Sequence, residues 1–494
     1  MRTVDVIIVG AGTAGLGALN EVRKRTDSFI IINDGPWGTM CARVGCMPSK
    51  ALIEAAGEFH RRLVFAELGL SGGDGLRVEA GAVLARVRRV RDAFVSETRE
   101  LTDDLGDRAI SGRARLRGPH EVEVDGRVLQ ARSIVLAIGS RPTVPAAWKG
   151  FADRLLTTDS LFEQSALPSR LAVVGLGPVG LEMAQALARL GVQVTGFHAR
   201  RTIAGLGEGP VNDAALDTLR HELNLHLGHE ARLTAEGAEE GMRVTAGSAS
   251  VVVDRVLVAM GRTPSVQGLG LENLGVPLDE QGLPEVDRWT LQVADLPIFL
   301  AGDANAEVPL QHEAADDGHI AGLNAVASHG RSRVSDDGLG PAALGRGGSK
   351  GPSQGPFVTR FVRRTPLSIV FSDPTLALVG QRIGALDHER VVVGEARFAD
   401  QGRARLMLRN AGLLRICANR EDGALLGAEL FAPEGEHLAH WLALAIHRRS
   451  TVFDLLRAPF YHPTVEEGLR TALVGIAKQL PNGDAFPLGS AAAE

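Results

Sequence analysis

The sequence predicts an α/β protein with two dinucleotide-binding folds and a separate α+β domain at its C-terminal end. Three observations carry this. A G-x-G-x-x-G pattern occurs twice, each time between an apolar strand and an Ala/Leu-rich helical segment. A strand running into a Gly-x-x-Pro turn also occurs twice. Beyond residue 357 the pattern changes to alternating strands followed by two helical stretches.

The first fingerprint is VDVIIVGAGTAGLGALNEV, with Gly10, Gly12 and Gly15. Its glycines let the backbone approach a pyrophosphate, which sits on the partial positive charge of the helix N-terminus. One such motif would be weak evidence in a chain with 59 glycines, but it returns in RLAVVGLGPVGLEMAQALARLG as Gly175, Gly177 and Gly180. SIVLAIGSRPTVP, with Gly139, and DRVLVAMGRTPSVQ, with Gly261, each read as the strand that closes one nucleotide-binding unit. LPIFLAGDANAEVPL then gives a strand, Gly302-Asp303 and a helix, as if the chain returned to the first domain. The expected plan is 1–152 for the first domain, 153–288 for an inserted second domain and 289–327 for the return. Residues 328–356 form a Gly/Ser/Pro-rich stretch that reads as a flexible surface insertion. The last domain is expected at 357–494, with strands, then helices at 435–448 and 464–479, and Cys417 as a small buried core residue.

Composition narrows the function. At 494 residues the chain exceeds one core. A net charge of −6 argues against nucleic acid as the main partner. No apolar run is long enough to span a membrane, and the first strand begins too early for a signal peptide, so a cytoplasmic location is expected. Of 53 basic residues only five are lysine, leaving 48 arginines, a skew that suggests a GC-rich bacterial genome. Each lysine is therefore informative, and Lys50 lies in MCARVGCMPSKAL, which also holds Cys41 and Cys46.

Three cysteines cannot build a disulfide framework in a chain of this size. Five residues along an ideal helix rise about 7.5 Å and turn about 140° apart. That exceeds the usual Cα span of a disulfide, about 4.4–6.8 Å. A Cys41–Cys46 bridge therefore needs a distorted turn at a helix start, where Gly45 gives freedom and Pro48 is tolerated. A zinc site lacks further ligands, and an inert bridge closing so small a loop would add little, so a redox dithiol is the strong reading. A thiol pair beside two dinucleotide folds implies electron flow between a nicotinamide and a disulfide, which a flavin bridges. This expects FAD at the first fingerprint and NAD(P)H at the second.

With both fingerprints, the Gly302-Asp303 turn, CARVGCMPSK and the terminal FYHPTVEEGLRTAL in hand, nearly the whole chain resembles the class I pyridine nucleotide–disulfide oxidoreductases. The branch it resembles most is the dihydrolipoamide dehydrogenases. The resemblance implies a glutathione reductase-like fold, tight non-covalent FAD, NADP(H) or NAD(H), and a C-terminal dimerisation domain. It implies that Cys41 exchanges with substrate, while Cys46 faces the flavin and gives a charge-transfer complex. Lys50 would pair with Glu182 beside the flavin, and Asp303 would bind the FAD ribitol chain. His462, with Glu467 five residues on, would be the base and its orienting carboxylate. The family takes this histidine from the other subunit, which implies a homodimer. Tyr461, the chain's single tyrosine, reads as core packing rather than substrate lining.

Departures bear on the cofactors and the substrate. Where the first fingerprint would end on a ribose-binding acid, the chain has Asn33, followed by Asp34; the amide can still bond a ribose hydroxyl. The second ends on His198, with Arg200 and Arg201 next, which leans toward the 2′-phosphate of NADPH although the dihydrolipoamide branch usually takes NAD. PSK after Cys46 resembles the lipoamide and transhydrogenase-like branches, and the tail lacks the terminal redox residues of mercuric and high-molecular-weight thioredoxin reductases. The substrate is expected to be a lipoyl group, free or on a lipoyl-domain carrier, or another small disulfide. An NAD(P)H oxidase or diaphorase, and a non-catalytic subunit of a 2-oxo acid dehydrogenase assembly, are the readings from other classes.

Overall fold

The computed structural model describes residues 3–235, 241–328 and 358–481, so the expected Gly/Ser-rich insertion lies outside the described residues from position 329 on. The chain forms two compact units. One comprises Met1–Gly45, Arg91–Arg141 and Arg262–Val362; the other comprises Cys46–Val90, Pro142–Gly261 and Arg363–Glu494.

The first unit is built on a seven-stranded sheet. Thr3–Val9 lies between Phe29–Asn33 and Arg127–Leu136, all parallel, with Val6 opposite Phe29 and Ser133. Ala109–Ser111 extends the sheet beyond Phe29–Asn33, and Glu121–Val124 and Arg115–Gly118 add an antiparallel hairpin at the other side. The return strand Ile298–Leu300 also pairs in parallel with Arg127–Leu136, Ile298 opposite Ile134. Residues 133–136 thus close the first nucleotide fold, and the chain does come back to it near residue 300. Val6 and Ile8 face one core, Ile7 and Val9 the other, which explains an unbroken apolar run rather than an alternating one.

On one face, the fingerprint helix Thr13–Val22 packs against the return helix Gln311–Ala327 through small residues. A Cβ at Gly318 would stand 2.1 Å from the Ala14 carbonyl oxygen, and one at Gly322 2.6 Å from that of Ala18. The backbones touch, and only glycine fits.

The second unit repeats the plan. Its parallel sheet runs Asn224–Leu227, Gln193–His198, Arg170–Val174, Arg255–Val258, Leu155–Leu156, with Val256 opposite Ala172. The same unit carries a five-stranded antiparallel sheet in the order Leu367–Val370, Thr375–Gly380, Leu425–Ala432, Leu413–Asn419, Val391–Arg397. Helices Gly435–His447 and Glu467–Ala477 share its core through Leu438, Leu442, Leu469 and Leu473. Cys417 is fully buried, as expected, and burial pushes its thiol up to about 11, so it stays protonated and unreactive. Tyr461 is a correction: it is 82% exposed rather than packed in a core. It follows the short helix Val452–Leu456 on a turn whose neighbours Phe460 and Trp441 pack on each other instead.

Replacing Gly318 by Ala should force the two helices of the first unit apart and destabilise it by about 1–3 kcal/mol, the usual cost of overpacking. Thermal unfolding monitored by circular dichroism checks this; an unchanged transition would show that the seam can relax without cost.

Candidate functional site

The two fingerprint turns have the same geometry. Gly10 and Gly175 take φ of +102° and +96°, and a Cβ on either would lie 2.2 Å from a carbonyl oxygen of the closing strand, Ala137 or Ala259. A Cβ on Gly15 would come within 1.8 Å of Gly10 O, and one on Gly180 within 1.8 Å of Gly175 O. Gly12 and Gly177 are the helix N-caps, carry no capping side chain, and face open space where a Cβ would be. Each turn therefore presents a helix N-terminus with free room in front of it, the arrangement that receives a pyrophosphate. Gly139 and Gly261, at φ +64° and +97°, follow the closing strands by three residues and likewise face open space. The residues fit two dinucleotides on this geometry.

Asn33 and His198 stand 23 residues after the first glycine of their motifs (33 − 10 and 198 − 175) and do the same work. Asn33 Oδ1 accepts from Ala11 N–H at 3.1 Å, and His198 Nδ1 accepts from Leu176 N–H at 3.2 Å. The sequence assigns Asn33 to a ribose hydroxyl and places His198 at the matching strand end, but does not show this cap on the turn; the shared spacing was the available signal. The Asn33 amide also donates to Gly35 O and Pro36 O. Accepting at Nδ1 requires a neutral His198 with its proton on Nε2. Burial, and then the Arg200 guanidinium, push its proton affinity below the ordinary histidine value. Asp34, Arg200 and Arg201 are exposed.

The cysteine segment is broken where the spacing argument required. Thr39 caps the one-turn helix Met40–Arg43, which holds Cys41. Val44 leaves helical geometry, and Gly45 sits so close that a Cβ would lie 3.1 Å from Met40 O. A new helix, Cys46–His60, then starts on Cys46 itself, with Pro48 buried in its first turn. Both cysteines are half-buried.

One turn further along, Lys50 Nζ donates to both oxygens of Glu182, at 3.0 and 2.8 Å. Glu182 is buried on the second fingerprint helix, Pro178–Arg189. Two contacts were not read from the sequence: Phe371 N–H donates to Glu182 Oε1 at 2.9 Å, and the Lys50 ammonium lies 4.6 Å from the centre of the Phe371 ring.

Asp303 opens the turn after the return strand, and its Oδ2 accepts from Ser140 Oγ at 2.6 Å. The same hydroxyl accepts from Arg262 Nε at 2.8 Å, so Ser140 and Arg262 together brace the acid. Ser140 and Arg262 were also missed; they directly follow Gly139 and Gly261.

His462 Nδ1 lies 3.0 and 3.2 Å from the two oxygens of Glu467, and Thr464 N–H donates to the same carboxylate. The bond to His462 holds the Glu467 carboxyl below its ordinary range. With Nδ1–H directed at the carboxylate, Nε2 is left as the basic nitrogen. The histidine side chain is 79% exposed, on the surface of the unit rather than in a pocket of it.

Among the described residues, no helix is long and apolar enough to cross a membrane. Comparison with known proteins agrees with the geometry. The family model for pyridine nucleotide–disulphide oxidoreductases matches residues 4–318, and the model for their dimerisation domain matches 367–473. A dihydrolipoyl dehydrogenase of Thermus scotoductus is 30% identical, over 97% of this chain and 98% of its own. One from Geobacillus stearothermophilus is 27% identical, over 94% of each. Two solved structures share the fold at TM-score 0.77: the Cu(II) complex of the HOCl-induced flavoprotein disulfide reductase RclA from Escherichia coli, and LpdA from Mycobacterium tuberculosis. They are 21% and 24% identical and cover 96% and 95% of this chain, and 99% of their own.

The His198 cap gives a pH dependence with a definite sign. Unfolding returns the ring to its ordinary value of about 6.5, so as pH falls the unfolded chain takes up this proton first. The stabilisation is whole above that value and is lost below it. His60, whose affinity is lowered by burial and by Arg189, acts in the same direction. The urea midpoint should therefore fall between pH 7 and pH 5, and fall less in His198→Asn, whose amide keeps the acceptor. Equal pH slopes in the two proteins would remove His198 from this role.

Proposed function

The chain belongs to the pyridine nucleotide–disulphide oxidoreductase family, FAD-dependent enzymes with a pyridine nucleotide substrate, and we propose that it exchanges electrons with a lipoyl dithiol in the manner of a dihydrolipoyl dehydrogenase. The observation that carries this reading is one helix, Cys46–His60, with a thiol at its first residue and Lys50 one turn on, paired to the buried Glu182 of the nucleotide fold.

The residues divide the work as follows. The Gly10–Gly15 turn would hold the FAD pyrophosphate, with Asp303 on the ribitol chain; the Gly175–Gly180 turn would hold that of the nicotinamide dinucleotide. Bound FAD supplies the two-electron exchange between nicotinamide and thiol that neither performs directly. A substrate thiolate attacks Cys41 in the Cys41–Cys46 disulfide, forming a mixed disulfide and releasing Cys46 as the thiolate. The second substrate thiol gives its proton to His462 Nε2 and displaces Cys41, so the substrate leaves as a disulfide and both cysteines are reduced. Glu467 orients the imidazole and stabilises its charge. The dimerisation domain supports a homodimer, and the exposed His462–Glu467 pair suits service to the partner subunit's cysteines.

One observation favours a second reading, NADPH-dependent reduction of another small disulfide. The second fingerprint has neutral His198 in place of an acid, and exposed Arg200 and Arg201 follow it. A lipoyl carrier domain as partner, and a cytoplasmic site of action, belong to the first reading.

His462→Ala should slow oxidation of dihydrolipoamide by about 10²–10⁴-fold, while turnover with an artificial acceptor that bypasses the thiols changes little. Parallel losses in both assays would make the histidine structural. In the FAD-loaded protein, two-electron reduction should give long-wavelength absorbance that Cys46→Ser abolishes; its absence from the parent would remove Cys46 from the flavin face. Replacing Arg200 and Arg201 by Gln should raise KM for NADPH roughly tenfold, about 1.4 kcal/mol, and leave NADH unaffected. Equal effects on the two nucleotides would count against a phosphate-reading role.

A further inference from the structure

The second fingerprint helix carries three polar residues in a row on an otherwise apolar surface: Glu182, Gln185 and Arg189, three and four positions apart. Glu182 and Gln185 are buried, and Arg189 has only 6% of its side chain exposed. All three grip one turn, Phe371–Pro374, between the first two strands of the antiparallel sheet. Glu182 takes the Phe371 N–H. Gln185 exchanges two bonds with the Asp373 backbone, donating to its carbonyl at 2.9 Å and accepting from its N–H at 2.8 Å. Arg189 donates to Asp373 Oδ2 at 2.9 Å and is held in turn by both oxygens of Glu222, at 2.7 and 2.8 Å.

We propose that Arg189 is a positioning residue for the Lys50–Glu182 pair, acting through the turn that presents Phe371. This rests on the reading that the pair adjoins the flavin. Lys50 is a point charge on a flexible four-carbon stem, and its geometry comes from what surrounds it. Phe371 supplies that geometry twice, with an amide on the carboxylate and a ring under the ammonium. The amide can be fixed only if the turn is, and Asp373 is the residue by which Gln185 and Arg189 hold it. The row thus transmits position from a buried cation to the reacting end of the same helix.

The test uses the FAD-loaded enzyme in two measurements: hydrogen exchange of the Phe371 amide, and stopped-flow flavin reduction by the preferred nicotinamide nucleotide. Arg189→Met should expose the Phe371 amide to exchange and slow reduction about 10- to 100-fold, the scale of a misplacement remote from the chemistry. Arg189→Lys, which can still reach Asp373 but cannot grip Glu222 in a fork, should fall between. Gln185→Leu loosens the same turn without touching a charge and should act in the same direction. Combined with Glu182→Gln, Arg189→Met should add little further slowing. Full protection of Phe371 in Arg189→Met, or a slowing that simply multiplies that of Glu182→Gln, overturns the inference. Glu182→Gln reducing at the parental rate overturns the reading of the pair and this inference with it. A slowed Glu182→Gln beside an unaffected Arg189→Met overturns this inference alone.

Discussion

A helix can aim its N-terminus at a pyrophosphate only if the strand before it turns back so closely that no side chain fits between them. In this chain the fit is Gly15 against the Gly10 carbonyl and Gly180 against the Gly175 carbonyl, each leaving 1.8 Å for a Cβ that is not there. The rest follows from that approach. The strand must be central and buried on both faces, so it is all apolar. The helix must begin on a glycine, Gly12 or Gly177, so that nothing caps it. The next strand over must end on a side chain that accepts from the turn, which Asn33 and His198 do.

Both of those acceptors are neutral where an acid would carry charge. A carboxylate could bond the turn and a ribose hydroxyl together, but would repel a phosphate on that ribose. A neutral histidine with Nε2–H directed away from the turn offers a donor instead. The turn keeps its brace without a carboxylate, and burial, with Arg200 beside it, disfavours the protonated ring.

Much of this was legible because it is written in spacing. The paired fingerprints and the return near Gly302-Asp303 lie where spacing puts them, and the Lys50–Glu182 bond across 132 residues and the His462–Glu467 contact lie where the family resemblance puts them. The contacts that escaped are made by backbone or by shape. Phe371 contributes an amide and a ring face, neither of which marks a sequence position, and Ser140 meets Asp303 across 163 residues with no motif to mark it. Gln185 and Arg189 were visible as polar letters in an apolar helix, but their partner is a turn whose geometry the letters do not encode. Tyr461 misled for a related reason. An aromatic is expected to seek burial, yet it sits beside His462 on an exposed turn.

The two nucleotide folds also show how a duplicated helix comes to serve different ends. Counting from their glycines, Gly17 in the first corresponds to Glu182 in the second, Asn20 to Gln185 and Lys24 to Arg189. At Gly17 the absent side chain lets the return helix lie against the backbone, with Ala315 O only 3.1 Å from where a Cβ would be. A glutamate there would push the two helices apart. In the second fold that position faces the Cys46–His60 helix and the Phe371 turn, where there is room for a carboxylate and a lysine to meet it. Burying that charge without a cation and a donor would be strongly unfavourable. The second helix could therefore acquire Glu182 only together with Lys50 and the Phe371 turn. Three segments distant in sequence are tied together by the needs of one carboxylate.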